Sequence, residues 1–219
     1  MPDDPVSPPP GSSEQSQGAT ATTTASLRRG KSRGRDRPDR EDCVPPLRGD
    51  LISLRLVRRA DLDDLIELLN DLGTRGALGH FLKSETDIRG RFERDGYWSD
   101  DSGVLLMIDA AADTVGWIGF IPVTYYFYGY EINYQVFGEQ YSGKGYATEA
   151  LGLLTEYLFS TKLMDRLQLS IHPDNLASQR VAEKCGYTRE GVLRSLGFLD
   201  GRFHDIEMWS ITREMHEAL

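Results

Sequence analysis

The segment from Gln140 to Ala147 constrains the fold of this chain most, because it reads Gln-Tyr-Ser-Gly-Lys-Gly-Tyr-Ala between a short apolar strand pattern and a long helical one. Glycine adopts left-handed backbone conformations without steric cost, so Gly143 and Gly145 predict a sharp bend there. Such a bend exposes several N–H groups in succession, and the helix N-terminus behind them adds a positive partial charge. The segment therefore predicts a site for a phosphate or pyrophosphate.

Three kinds of phosphate-binding loop use this arrangement, and their spacing separates them. A dinucleotide-binding loop requires G-x-G-x-x-G, but Thr148 occupies the third glycine position. Gly138 to Lys144 fit the spacing of a Walker A loop, but Gly145 stands where that loop needs a magnesium-binding hydroxyl. The acetyl-CoA loop, Q/R-x-x-G-x-G/A, matches without a gap.

Hydrophobic periodicity predicts alternating strands and helices from Asp50 onward. Strands are expected at residues 51–57, 104–109, 114–122, 130–137, 166–171, 187–193 and 203–212, and helices at residues 61–72, 85–95, 143–160 and 176–185. This order mixes hairpins with a β-α-β crossover, which favours an α/β fold with a mixed sheet flanked by helices. We expect a single domain over residues 49–219.

Residues 1–48 differ from the rest of the chain in composition, with Pro, Gly, Ser and Thr followed by an Arg-rich run. Such a segment cannot bury enough apolar surface to offset the entropy of ordering, so we expect a disordered tail. The basic run Arg28–Arg35 allows either a contact with RNA phosphates or a solvated linker, and the acidic residues that follow it favour the linker. Acidic residues in the first 14 positions count against a transit peptide.

Charge and composition exclude several classes of protein. The net charge of −9 argues against a general nucleic-acid binder, and residues 49–219, with 17 basic and 27 acidic residues, should attract cationic small molecules. The chain has no apolar run long enough for a membrane helix. No apolar signal segment follows the first Met, so we expect a cytoplasmic protein. The two cysteines and four histidines lack zinc-ligand spacing, so we expect no metal and ordinary surface or turn histidines.

A second group of motifs follows the glycine loop. Residues 175–187 read N-x-x-S-x-x-V-A-E-K-x-G-Y, and the blocks Glu190-Gly-Val-Leu-Arg194 and Asp200-Gly-Arg-Phe-His-Asp205 come after them. In this order the motifs resemble the GNAT superfamily of N-acetyltransferases, and in particular its RimJ/RimL-like branch, which acetylates ribosomal-protein N-termini. The resemblance covers nearly all of residues 50–219.

The resemblance implies a sheet that splays between the strands at 130–137 and 166–171, with acetyl-CoA in the cleft. Backbone groups of Val136 and Phe137 are expected to pair with the pantetheine like an added strand. Asn175 is expected to hydrogen-bond the pantetheine, to cap its own helix, or to do both. The pyrophosphate is expected at Gln140, Gly143, Lys144, Gly145, Tyr146 and Ala147.

The implied reaction is direct attack of an amine on the thioester carbonyl, which needs a base for the amine and a proton donor for the thiolate. Ser178 is the expected proton donor, and the alternative is that it is an ordinary helical serine bonded to its own backbone. Glu131 is the candidate base, and the alternative is that it is a strand residue that faces solvent. Cys185 is then a small core residue rather than a nucleophile, and Asp205 is expected to anchor the turn after Asp200.

The sequence leaves the acceptor open among a protein N-terminus, a drug and a small-molecule amine. Trp117 and the aromatic run 125–130 are expected to form either an acceptor wall or strand-edge packing. We expect no membrane and no specific nucleic-acid partner, and the resemblance is compatible with a homodimer. The alternative is a non-catalytic acyl-CoA-binding sensor or scaffold, because Ser170 and Gly197 stand where other members carry glutamates.

Overall fold

The fold is built on one eight-stranded sheet that carries helices on both faces, in a computed structural model that describes residues 47–71, 82–123, 129–199 and 201–219. The strands are β1 Leu47–Arg48, β2 Ile52–Leu56, β3 Gly103–Asp109, β4 Thr114–Pro122, β5 Gly129–Val136, β6 Arg166–Ile171, β7 Thr188–Leu199 and β8 Arg202–Thr212. The helices are α1 Leu62–Asn70, α2 Glu85–Asp95, α3 Tyr146–Thr161, α4 Leu176–Lys184 and α5 Arg213–Glu217, with 3₁₀ turns at Arg59–Asp61 and Glu139–Tyr141.

Some of the sequence predictions lie outside the described residues. These are the disordered tail up to residue 46 with its basic run, Cys43, His80, the aromatic residues 125–128 and Asp200. Of the helices within the described part of the chain, none is long and apolar enough to cross a bilayer.

The strand order is β1-β2-β3-β4-β5-β6-β8-β7, and every neighbouring pair is antiparallel except β5 and β6. The parallel pair is joined by α3, because parallel strands need a crossover connection. The mixed, helix-flanked sheet expected from the sequence is thus confirmed.

The parallel strands β5 and β6 pair over three residues only. Gly129, Tyr130 and Glu131 face Arg166, Leu167 and Gln168, and no later residue of β5 pairs with β6. Each strand stays bonded to its outer neighbour, β5 to β4 as far as Val136 and β6 to β8 as far as Ile171. The sheet therefore opens into a V-shaped cleft, which is the splay that the family resemblance implied.

Two apolar layers fix the helices on the sheet. The larger layer lies under α3 and α4, where Leu151, Leu154 and Leu158 are fully buried on one side of α3. The smaller layer lies under α1 and α2 on the opposite face, where Leu65 and Ile88 pack toward the sheet. Amphipathic helices with a single apolar stripe require this arrangement.

Helix α3 begins at Tyr146, three residues later than its apolar periodicity predicted. Gly143 and Gly145 have φ angles of 73° and 90°, so both lie in the left-handed region that a helix cannot continue through. The two glycines thus form the predicted bend ahead of the helix rather than its first turn.

Strand β7 ends six residues later than predicted, because a bulge interrupts it without ending it. Ser195 has a positive φ of 52°, and the register with β8 shifts between Leu193 and Gly197. The carboxylate of Asp205 accepts the Ser195 N–H at 2.9 Å. Asp205 therefore holds this bulge, while Asp200, after which it was expected to anchor the turn, lies outside the described residues.

Glu149, in the first turn of α3, holds the start of β2. Its Oε1 accepts the N–H of Asp50 at 2.7 Å, and its Oε2 accepts those of Leu51 and Ile52 at 2.9 and 2.7 Å. A carboxylate that accepts several N–H groups makes charge-assisted bonds, which are stronger than neutral ones. These bonds place Leu51 beside Gly145, since a Cβ on Gly145 would lie 3.1 Å from Leu51 Cδ1.

We expect Glu149→Gln to lower the free energy of unfolding by about 1–3 kcal/mol, because it removes the charge that three backbone donors share. Urea denaturation measures this loss. Glu156→Gln is the matched control, since Glu156 lies exposed on the same helix and contacts His216 alone among the side chains described. Equal losses in the two variants would contradict the assignment.

Candidate active site

The edge of β5 that faces the cleft carries backbone groups free of the sheet. Phe137 N–H donates to Val115 O on the β4 side at 2.9 Å. Because hydrogen-bonding groups alternate along an antiparallel ladder, those of Val136 point to the cleft. The Phe137 N–H, expected to pair with a pantetheine, is thus already bonded within the sheet, whereas Val136 presents its backbone groups to the cleft.

The loop at the mouth of the cleft has the shape that an anion site requires. Gly143, Lys144 and Gly145 are exposed, and within the described residues nothing accepts their N–H groups. Tyr146 and Ala147 form the first turn of α3, where amides have no intrahelical acceptor. Five successive N–H groups are therefore available at a helix N-terminus.

Two side chains beside the loop, Lys144 and Gln140, are exposed, and Lys144 adds a positive charge. Lys144 Nζ lies 5.4 Å from the ring centre of Tyr141 and 5.9 Å from that of Tyr146, within cation–π range. Gln140 lies in the 3₁₀ turn that precedes the loop and is exposed. Both side chains are accessible to a ligand that occupies the loop.

Asn175 and Ser178, the two predicted site residues on the other side of the cleft, lie at the start of α4. Asn175 Oδ1 accepts the Ser178 N–H at 3.1 Å, so Asn175 is the N-cap of the helix. Ser178 Oγ lies 2.7 Å from the hydroxyl oxygen of Tyr134, which comes from β5. This bond joins the two sides of the cleft, and the sequence analysis did not single out Tyr134.

Burial controls the ionisation of the groups behind the cleft. It raises the pKa of Tyr134 to about 12, so the phenol keeps its proton at neutral pH. It also raises the pKa of Cys185 to about 11, and the Cys185 thiol donates to Thr148 O at 3.2 Å. Cys185 is therefore suited to packing and not to nucleophilic attack.

Glu131 lies at the closed end of the cleft, on the opposite face of the sheet from Tyr134. It pairs with Gln168 in the parallel ladder, and Gln168 Nε2 donates to Glu131 Oε2 at 3.2 Å. Side chains alternate along a strand, so Glu131 shares its face with Asn133, whereas Tyr134 packs with α3 and α4. The two candidate catalytic residues, Glu131 and Ser178, thus lie on different sides of β5.

A cavity of about 390 Å³ lies on the Glu131 face, between the sheet and helices α1 and α2. Gly119 lies in its floor without a side chain, and a Cβ there would lie 2.5 Å from Gly103 O. Trp117 lines this cavity and donates through Nε1 to Gln135 at 3.3 Å. Trp117 is therefore a cavity wall, while Tyr130 packs edge-on against Phe120 in the core.

His172 begins the turn after β6 and His216 lies in α5, whereas His204 lies within β8. His172 Nε2 lies 3.1 Å from His204 Nδ1, and His172 Nδ1 accepts the Asp174 N–H at 3.2 Å. His204 Nε2 is buried and has no partner among the described residues. His216 stacks on Phe159 and bonds Glu156 at 2.8 Å. No group of three or more His, Cys, Asp or Glu within the described ranges could hold a metal ion.

Comparison with known proteins identifies a family. Residues 52–188 match the family model described as acetyltransferase (GNAT) domain. The chain is 26% identical over 152 residues to the uncharacterized N-acetyltransferase p20 of Bacillus licheniformis, an alignment that covers 68% of this chain and 71% of that protein. It is 29% identical over 88 residues to the putative ribosomal N-acetyltransferase YdaF of Bacillus subtilis, covering 40% and 48%.

The chain spans about half the length of most of the curated relatives that it matches. Among solved structures, the fold is similar to that of spermidine N-acetyltransferase from Vibrio cholerae in complex with CoA and spermine, with a TM-score of 0.65 and 19% identity. That superposition covers 77% of this chain and 99% of the other.

We expect Gly145→Val to abolish acetyl-CoA binding, because a β-branched residue disfavours the left-handed conformation and covers the N–H groups of the loop. Calorimetric titration measures the affinity, and the melting temperature of the free protein reports damage from the contact with Leu51. Gly152→Ala is the control, since a Cβ there meets no atom within 4 Å. Unchanged affinity in Gly145→Val would exclude the loop as the pyrophosphate site.

Proposed function

This chain belongs to the GNAT acetyltransferase family, and we propose that it transfers an acetyl group from acetyl-CoA to a primary amine by direct attack. The observation that carries this proposal is the cleft between β5 and β6, which opens beside a run of unpaired N–H groups and narrows toward Glu131. We propose a catalytic domain over residues 49–219 and a tail before it.

The described residues fit acetyl-CoA as a substrate. The exposed N–H groups of Gly143 to Ala147 suit its pyrophosphate, and Lys144 adds a positive charge nearby. The free backbone groups of Val136 suit the pantetheine amides, and the side-chain amide of Asn175 lies across the cleft at the start of α4. The thioester then lies deeper in the cleft, toward the paired end of β5 and β6.

The pair Tyr134–Ser178 supplies the proton that the departing thiolate needs. Tyr134 keeps its proton because its pKa is raised to about 12, and its hydroxyl is within hydrogen-bond distance of Ser178 Oγ. When Tyr134 donates to Ser178, the Ser178 proton is free to point into the cleft. Donors preorganised in this way stabilise negative charge as it develops in the transition state.

The opposite face of β5 supplies the base. An amine is mostly protonated at neutral pH, and only its neutral form attacks a carbonyl carbon. Glu131 faces the cavity side of the sheet, so it can take the ammonium proton from the side opposite to the Tyr134–Ser178 pair. An α-amino acceptor, with a reference pKa of about 7.7–8.0, needs less of this help than an alkylamine.

The RimJ/RimL-like branch belongs to this proposal as well. It rests on the motif that begins at Asn175 and on the similarity to a putative ribosomal N-acetyltransferase. The similar spermidine N-acetyltransferase acts on a different kind of amine, a polyamine. These relatives leave three acceptor classes open, which are protein N-termini, drugs and small-molecule amines.

We expect the protein to release free thiol from acetyl-CoA when amines are added, and Ser178→Ala to lower turnover by about 10- to 1,000-fold. Acetyl-CoA affinity should change little, because the Ser178 hydroxyl is needed mainly in the transition state. Tyr134→Phe should reproduce part of the loss. Binding of acetyl-CoA without thiol release for any amine would identify the sensor or scaffold instead, and normal turnover in Ser178→Ala would remove the residue from the mechanism.

We expect Glu131→Gln to lower kcat/KM most at low pH, and the defect to shrink as pH rises and the amine loses its proton unaided. A pH–rate profile of the variant and the natural protein measures this. Gln168→Ala is the matched control, because it removes the neighbour of Glu131 and keeps the carboxylate. A defect in Glu131→Gln that is independent of pH would assign Glu131 to structure.

A further inference from the structure

We propose that the acceptor is a small amine that carries an apolar body and a carboxylate, bound in the 390 Å³ cavity with its carboxylate on Arg91. This inference rests on the acetyl transfer proposed above and names its substrate class.

The cavity has the size and lining of a small-molecule site. Its volume of about 390 Å³ lies in the range typical of such pockets. The apolar side chains of Leu65 and Leu69 on α1, Ile88 on α2 and Trp117 on β4 face it. A ligand that fills it must therefore present apolar surface over most of its length.

Arg91 is one of two cationic residues that line this cavity among the described residues, together with Lys83. Its guanidinium lies 4.7 Å from the ring centre of Tyr97, which also lines the cavity. In the described part of the chain no carboxylate lies within 4 Å of Arg91, whereas the other arginines of α2, Arg89 and Arg94, are paired with acidic residues. An arginine left unpaired in an acidic domain, at the wall of an apolar cavity, is suited to a ligand carboxylate, which its planar fork binds bidentately.

The charges of the lining argue against a polyamine. Lys83 and Arg91 face the cavity with one carboxylate, Asp87. A second ammonium group on the acceptor would meet Arg91, and like charges in a desolvated site are strongly unfavourable. The overall negative charge of the domain attracts cations at long range, but the local charge of this cavity selects against two of them.

The position of the cavity fixes the orientation of the acceptor. Asn133 lines the cavity, and Glu131 lies two residues away on the same face of β5, about 7 Å along the strand. The amine therefore points toward β5 and the closed end of the cleft. The carboxylate points toward α2, and the apolar body lies between them against Trp117.

The test uses two matched pairs of amines, phenylalanine with phenethylamine and 6-aminohexanoate with hexylamine, together with spermidine. Each pair differs by a carboxylate, and the two pairs differ in the distance between that carboxylate and the amine. Thiol release from acetyl-CoA gives kcat/KM for each, in the natural chain and in Arg91→Met, Arg91→Glu and Arg94→Met. Arg94→Met is the control, since Arg94 lies on the same helix, pairs with Asp95 and does not line the cavity.

We expect 6-aminohexanoate, in which the apolar body separates the two charges, to be preferred over hexylamine by roughly 10- to 100-fold, and that ratio to fall toward one in Arg91→Met. The ratio for phenylalanine and phenethylamine should be smaller, because both charges of phenylalanine are on one carbon. Arg91→Glu should move the preference toward spermidine, and Arg94→Met should leave every ratio unchanged. A ratio measured within one variant is insensitive to partial loss of folded protein. Equal use of both members of each pair, or a preference for spermidine, overturns the acceptor class and leaves acetyl transfer standing. Absence of thiol release with all five amines overturns the acceptor class, and release with a peptide N-terminus in the same assay leaves acetyl transfer standing.

Discussion

The early end of the parallel pairing between β5 and β6 determines most of what this molecule can do. Three residue pairs join the strands, and from there each strand follows its antiparallel neighbour away from the other. The gap leaves backbone groups of β5 without a partner in the sheet, a state that a buried strand tolerates only if something else pairs with them. The bond between Tyr134 and Ser178 connects the two sides across this gap, and the loop at Gly143 forms its entrance.

The alternation of side chains along β5 divides the chemistry between the two faces of the sheet. Tyr134 packs with α3 and α4, on the side from which Ser178 approaches, whereas Glu131 and Asn133 face α1 and α2. The proposed base and the proposed proton donor therefore lie on separate faces of the sheet.

The parts of the fold that depend on local sequence could be predicted, and those that depend on register could not. The strands and long helices follow from apolar periodicity, and the glycine loop follows from the conformations that Gly143 and Gly145 alone adopt readily. The hydrogen bonds of Glu149 to residues 50–52 join segments almost 100 positions apart, so no local sequence pattern predicts them. The partnership of Tyr134 with Ser178 became visible only when the strand register and the packing of α4 were known. The bulge at Ser195 was missed for the same reason, because Asp205 lies on the neighbouring strand.

The floor of the cavity at Gly119 consists of main chain in close contact with the main chain of Gly103. Since a Cβ on Gly119 would meet the Gly103 carbonyl oxygen at 2.5 Å, no side chain can be added at this position without separating β3 from β4. Helices α1 and α2 form the opposite wall of the cavity, and their side chains line it. Exchange of these side chains can therefore change the shape of the cavity while the main chain of β3 and β4 stays in place.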